Sequence, residues 1–267
     1  MVAGWLTEDR WGAGISWEQR MRNLDRFTDE MVPHPIREKD GDWSIFGAWF
    51  NGKMSDEGAE ALWRTFHLGT SAIMLAGGLA LVAILFAARS LASRNPRGVR
   101  EDGGIWREGL GSLLRGGAML ARAMPEYILA FLLLQVFGPT VWVLIFALAI
   151  HNGGILVRLG AEVVDNTRSQ ASEVMLAQGG SRASSYLGAL LPTSFNRLVL
   201  FLFYRWESCV REATVLGMLG VASLGFLISN AKVSFYYDDM ILWVGLGAAL
   251  VFAGDVTSDI VRGKLRK

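Results

Sequence analysis

The chain has 267 residues, 52% of them hydrophobic, with a mean hydropathy of +0.32, more apolar than a soluble domain needs to fill its core. A net charge of +1 offers no basic surface for a nucleic acid, and the single cysteine, Cys209, excludes an intramolecular disulfide or a cysteine-based metal site. The charge is unevenly placed, with 8 Lys and Arg against 12 Asp and Glu in residues 1–66 and 18 against 13 in the remainder.

The first 14 residues lack a basic start followed by an apolar run, so no cleavable signal peptide is expected. Residues 1–66 contain six of the ten tryptophans (Trp5, Trp11, Trp17, Trp43, Trp49 and Trp63) among many charges, with a break at Pro33-His34-Pro35. This composition predicts an interfacial or extracytoplasmic N-terminal segment, with an amphipathic helix over 17–31 and a lead-in to the first span over 57–67. Two readings stay open for it: helices lying on a membrane surface, or a small cap folded around a tryptophan core.

Residues 67–267 read as a transmembrane domain. No Asp, Glu, Lys or Arg occurs in 68–88 or in 127–157, and runs of that length cross a bilayer. The first span, 68–91, ends in Arg89, Arg94, Arg97 and Arg100 around Pro96, so the positive-inside rule gives it a cytoplasmic exit. Residues 104–123 are amphipathic, with Arg107, Arg115 and Arg122, and lead through Pro125 into the apolar 127–137. One kinked or two-part second span is expected. Gly138-Pro139 marks an outer turn, and residues 141–159 return inward as the third span. The fourth runs over 195–216, a Gly-rich apolar stretch (Gly217, Gly220, Gly225) follows near the outer side, and the fifth covers 240–261 before a basic end, Arg262 to Lys267. The fold class is therefore all-α, a polytopic membrane protein with about five spans, its N-terminus outside and its C-terminus inside.

Between the third and fourth spans, in a cytoplasmic loop over 165–192, stands Glu173-Val-Met-Leu-Ala177-Gln-Gly179-Gly180-Ser181, followed by Ala189-Leu-Leu-Pro192. A short helix, a glycine pair allowing a tight reversal, a serine cap and a proline stop predict a compact helix-turn-helix projecting from the membrane. The stretch resembles the coupling motif of ABC importer permeases, with Val174 and Met175 where alanines are usual and Ala189 where isoleucine is usual. Three further stretches are similar to those of phosphonate importer permeases, the inner-membrane components of binding-protein-dependent transport systems. They are Arg122-Ala-Met-Pro125-Glu126, Ala147 through His151-Asn152 to Gly154, and Tyr204-Arg205-Trp-Glu207 through Arg211 to Gly217.

The resemblance implies a permease subunit of an ATP-driven importer, translocating phosphonate or a related phosphorus oxyanion in the bacterial inner membrane. It implies a coupling role for Glu173, Ala177, Gly179, Gly180 and Pro192. The implied partners are ABC ATPase subunits, an extracytoplasmic substrate-binding protein, a second copy of the chain and membrane lipid.

The fourth span carries Arg205, Glu207, Arg211 and Glu212, and each charge near the bilayer centre costs ~2.5 to 3.5 kcal/mol on insertion scales. At 100° per residue Arg205 and Glu212 fall about 20° apart, while Glu207 and Arg211 fall about 40° apart on a nearly opposite stripe. Glu207 precedes Arg211 by four residues, the favourable order for a helical ion pair. Arg205 lies two turns from Glu212 and is expected to face the pathway or pair with a different span. His151 and Asn152, midway in an apolar span, are expected to bond a neighbouring helix first and to line the pathway second.

No Gly-x-x-x-x-Gly-Lys-Ser/Thr loop occurs, so the chain has no ATPase site of this type. It also has no histidine cluster with metal-ligand spacing; neither a catalytic residue nor a cofactor is expected. A permease for another small solute, a membrane enzyme using the intramembrane charges, and a stand-alone channel are the competing readings. The enzyme and channel readings leave the Glu173 to Pro192 device unexplained.

Overall fold

The structure is a computed structural model and describes residues 16–39, 41–88, 104–167 and 169–265. Trp5, Trp11, the Arg89 to Arg100 cluster used to orient the first span, and the final Arg266-Lys267 lie outside the described residues, as does the Arg107 side chain. The described residues are helical and contain no strand.

Helix α1 (Trp17–Glu30) begins at a capping box: Ser16 Oγ accepts the Gln19 N–H, and the Gln19 side chain accepts the Ser16 N–H. The Pro33-His34-Pro35 break opens a short helix, α2 (His34–Glu38). Asp42 then caps a 3-10 turn (Trp43–Ile45) through Ser44, a hydrogen bond that holds its carboxyl below the usual value. From there the chain is helical without a break: α3 (Phe46–Lys53), a π turn (Met54–Gly58) and α4 (Ala59–Ala87). The first span is thus the end of a 45-residue helical stretch, Trp43–Ala87, and runs straight through residues 66 and 67. No described tryptophan of the front segment is buried; Trp17, Trp43 and Trp63 are exposed and Trp49 is half-buried. A tryptophan core is therefore absent from the described part of this segment.

Helices α5 (Gly104–Ala123) and α6 (Glu126–Phe137) meet at 96° across Met124 and Pro125. Proline has no N–H to continue the ladder and pushes the preceding residue away from helical geometry, which accounts for the expected two-part span. Helix α7 (Val141–Asn166) extends about two turns beyond its expected end. It leads through α8 (Gln170–Ala177) and α9 (Arg182–Ser185) into a second π turn (Tyr186–Leu190) and α10 (Leu191–Leu216). The Gly-rich stretch forms a 3-10 turn (Gly217–Leu219) and a short helix, α11 (Leu224–Val233), before α12 (Tyr237–Leu265). Among the described residues four helical stretches are long and apolar enough to cross a membrane, and the bent α5–α6 pair, taken as one span, makes a fifth.

Among the described residues the bundle has two apolar cores. The larger joins α4, α6, α7 and α10 around Ala72, Ala76, Ala130, Leu144, Leu148 and Ala213. Small residues let these helices approach closely: a Cβ on Gly69 would sit 2.9 Å from the Val210 Cα, and one on Gly154 would sit 2.6 Å from the Ala118 carbonyl oxygen. The smaller core joins the start of α4 to α11 and α12 through Ala61, Leu224, Ile228 and Trp243.

Candidate functional site

The elbow between α7 and α10 is built by local hydrogen bonds. After α8 the chain reverses at Gly179, whose φ is +89°. Gly180 N–H donates to the Met175 carbonyl at 2.8 Å and Gly179 N–H to that of Leu176 at 3.1 Å, the paired bonds of a Schellman ending that favours glycine at the left-handed position. Gly180 is needed for a different reason: a Cβ there would lie 2.7 Å from the Met175 carbonyl oxygen. Ser181 caps the returning α9 by accepting the Ser184 N–H.

The two arms are fastened together and to the bundle. The buried Ser172 and Ser185 hydroxyls lie 2.7 Å apart. At the base, the Thr167 and Ser194 hydroxyls are 3.1 Å apart. Tyr186 is buried, and its hydroxyl donates to the Leu81 carbonyl of α4 at 3.1 Å. The outward surface carries Glu173, Val174, Ala177, Gln178 and Gly179, all exposed, with Leu187 beside them.

Pro192 does not stop a helix. It lies where the π turn hands over to α10 within the continuous helical stretch Arg182–Leu219, and the wider π spacing accommodates the missing N–H. The expected helix-turn-helix is therefore an elbow whose second arm runs on into the fourth span.

The four charges of α10 separate onto two faces, as the 100° periodicity predicts, but Arg205 is not left without a partner on its own helix. Its Nη2 donates to Glu212 Oε1 at 2.9 Å, and its Nε donates to Asn152 Oδ1 of α7 at 2.8 Å. Asn152 Nδ2 closes the ring by donating to Glu212 Oε2 at 3.0 Å and also reaches the Leu148 carbonyl. The long guanidinium arm covers the two turns, and an amide presenting both a donor and an acceptor fills the gap. Asn152 is fully buried and Cys209 Sγ lies 3.8 Å from its Nδ2.

His151 points instead to the break in the bent span. Its Nδ1 lies 2.9 Å from the Met124 carbonyl, which can only accept, so the proton sits on Nδ1; Nε2 is 3.8 Å from the Glu126 carboxylate. Glu126 is a partner that sequence reading quoted but did not assign.

On the opposite face Glu207 lies between two cations, with Arg211 at 3.5 Å and Arg262 of α12 at 3.3 Å. Arg262 also reaches Asp259 at 3.2 Å, and Arg211 lies 3.7 Å from Asp255. Asp255 Oδ1 is buried without a hydrogen bond, so that longer ion pair is its compensation. The Arg205 ring is short and closed; the Glu207 ladder is longer and more open, with Arg211 54% exposed. Arg262, Asp255 and Asp259 were missed from sequence because their register against α10 is set by the intervening α11.

The model of the family described as "Binding-protein-dependent transport system inner membrane component" matches residues 108–265, more than half of the chain. The chain belongs to that family. As a member it is a multi-pass inner-membrane transport component, and the matched region begins within α5, leaving the front segment and α4 outside it. The phosphite transport system permease protein PtxC of Stutzerimonas stutzeri is 26% identical over 141 residues, 53% of this chain and 51% of that one. The phosphate-import permease protein PhnE of Mycolicibacterium smegmatis is 28% identical over 151 residues, 57% of this chain and 28% of that one. The chain thus spans about half or less of the length of these two relatives.

Two solved transporters share the fold of this family member. The chain of an amino acid ABC transporter superposes with a TM-score of 0.59 at 14% identity, over 77% of this chain and 92% of that one. The chain of the methionine transporter MetNI, in an inward-facing form, gives 0.59 at 16% identity over 78% and 95%.

Proposed function

We propose that the chain is the permease subunit of an ATP-driven importer and, with a second copy, forms the pathway for phosphonate or a related phosphorus oxyanion. The elbow carries this reading. It lies on the loop assigned to the cytoplasmic side, and its exposed surface combines the acidic Glu173 with the apolar Val174 and Leu187. Such a mixed patch suits docking into a groove of an ATPase partner. Its attachments give it leverage: Tyr186 reaches α4, while Ser172 and Ser185 hold the arms together. A push on α8 therefore loads α4, α7 and α10 together, a rigid-body route from nucleotide hydrolysis to the spans. An extracytoplasmic binding protein supplies the solute, in keeping with the family description and the substrates named for the relatives.

The open Glu207 ladder is the better pathway candidate, with Arg205, His151 and Asn152 holding the helices behind it. A fixed, strong anion site would retain its ion, whereas Arg211, shared between two carboxylates, presents a positive group that exchanges partners. The test uses the full chain purified with its ATPase in proteoliposomes. Glu173→Ala and Gly179→Val are expected to lose retained ATPase activity while eluting as the folded protein. Wild-type coupling in both variants overturns the assignment. Receptor-stimulated hydrolysis with phosphite, methylphosphonate, hypophosphite and phosphate then ranks the substrates.

A further inference from the structure

The front segment lies outside the family match, yet it is fastened to the bundle at the start of α12. Asp238, largely buried, accepts the His34 N–H at the first residue of α2 at 2.9 Å, and Asp239 pairs with Lys53 Nζ at 2.6 Å. Phe27 of α1 meets the Tyr237 ring edge-on at 5.4 Å, and Trp243 packs on Gly58, where a Cβ would come within 2.7 Å of the indole. Tandem acids thus hold the front segment just where the polar start of α12 gives way to its apolar run, residues 240–254.

One side of α1, next to the Phe27 contact, is apolar and exposed. At 100° per residue Trp17, Met21 and Leu24 share one sector, and they are 72%, 40% and 51% exposed. Thr28 shares that sector, and the rest of the circumference carries Glu18, Asp25, Asp29 and Glu30 with Arg20, Arg22 and Arg26. Phe235 and Tyr236, just ahead of α12, are exposed as well, and aromatic residues gather where hydrocarbon meets headgroups. Helix α1 touches the start of α12 through Phe27 and Tyr237, and further along that spanning helix Val244 and Phe252 are exposed.

We propose that α1 lies in the lipid–water boundary with its Trp17–Met21–Leu24 face between the lipids, forming a collar latched to the start of α12 by Asp238 and Asp239. Lipid is favoured over a protein occupant because Phe27 ties α1 to Tyr237, directly ahead of the apolar run of α12. Because the polar side is acidic on balance, apolar area rather than attraction to anionic headgroups holds α1 in place.

The test places an environment-sensitive dye at position 24 or 26 of the full chain through Leu24→Cys or Arg26→Cys, the buried Cys209 staying unlabelled. Each variant is reconstituted in neutral vesicles and in vesicles containing anionic lipid. Spin-labelled lipid is expected to quench position 24 several-fold more than position 26, iodide is expected to do the reverse, and both lipid mixtures are expected to agree. Equal iodide quenching at the two positions without lipid quenching overturns the proposal. Shielding of position 24 that requires added binding protein, or lipid quenching only with anionic lipid, overturns it as well.

Discussion

The two charged faces of α10 are made from similar side chains and behave as different devices. On one, Arg205, Asn152 and Glu212 form a closed ring with 2.6 to 3.0 Å bonds, joining α7 to α10. On the other, Glu207, Arg211, Arg262 and Asp255 form ion pairs of 3.3 to 3.7 Å between α10 and α12. Neutral amide satisfaction makes the difference. Asn152 supplies both a donor and an acceptor, so every charge in the ring is engaged from two sides, whereas the ladder has only ions and leaves Arg211 half in the open. A fully bonded network fixes a packing arrangement; in the ladder Glu207 and Arg262 are as buried as the ring, but the longer pairs leave the exposed Arg211 free to trade partners at little cost.

The comparison is broken most severely at Arg205. Arg205→Ala leaves the Glu212 carboxylate unpaired in a mostly buried site, and losing one member of such a pair costs about 3 to 5 kcal/mol. The expected readout in detergent is a lower unfolding temperature and rapid maleimide labelling of Cys209, which lies against the ring. Asn152→Ala is the next step down, expected to cost about 1 to 3 kcal/mol because the arginine and carboxylate lose their bridging amide. Thermal unfolding of the pair Asn152→Ala and Arg205→Ala, singly and together, checks whether the ring acts as one unit. Glu207→Gln is expected to leave Cys209 protected and the fold intact while altering receptor-stimulated uptake, because it releases two arginines at once. Arg211→Ala is the mildest, within about 1 kcal/mol of wild type as befits an exposed pair. Unfolding temperatures equal for Arg205→Ala and Arg211→Ala would erase the distinction between the faces.

Much of this architecture was legible in the chain itself. The charge-free runs located the spans, Pro125 located the bend, and the 3.6-residue period separated the four charges of α10 into two stripes. What stayed hidden depends on partners distant in sequence. His151 was visible as an isolated polar residue, but its bond to Met124 follows from how α7 crosses the bent pair. Arg262 meets Glu207 only because α11 sets the offset of α12, and no local pattern encodes that offset. Pro192 misled for a local reason: proline usually stops a helix in its interior, but here a π turn directly before it makes room, and that turn is not written in any residue preference. The helix leading into the first span begins earlier than expected, and Gly58 within it packs on Trp243, a contact distant in sequence.

The Lys53–Asp239 pair has a consequence for biogenesis. Lys53 and Asp239 are 186 positions apart, and ribosomes add about 5 to 20 residues per second. The front segment therefore waits on the order of ten to forty seconds, with its aromatic side chains already synthesised, before the helix that anchors it emerges. A nascent chain stalled ahead of Tyr237 should leave residues 16–53 open to added protease, and one released beyond α12 should shield them.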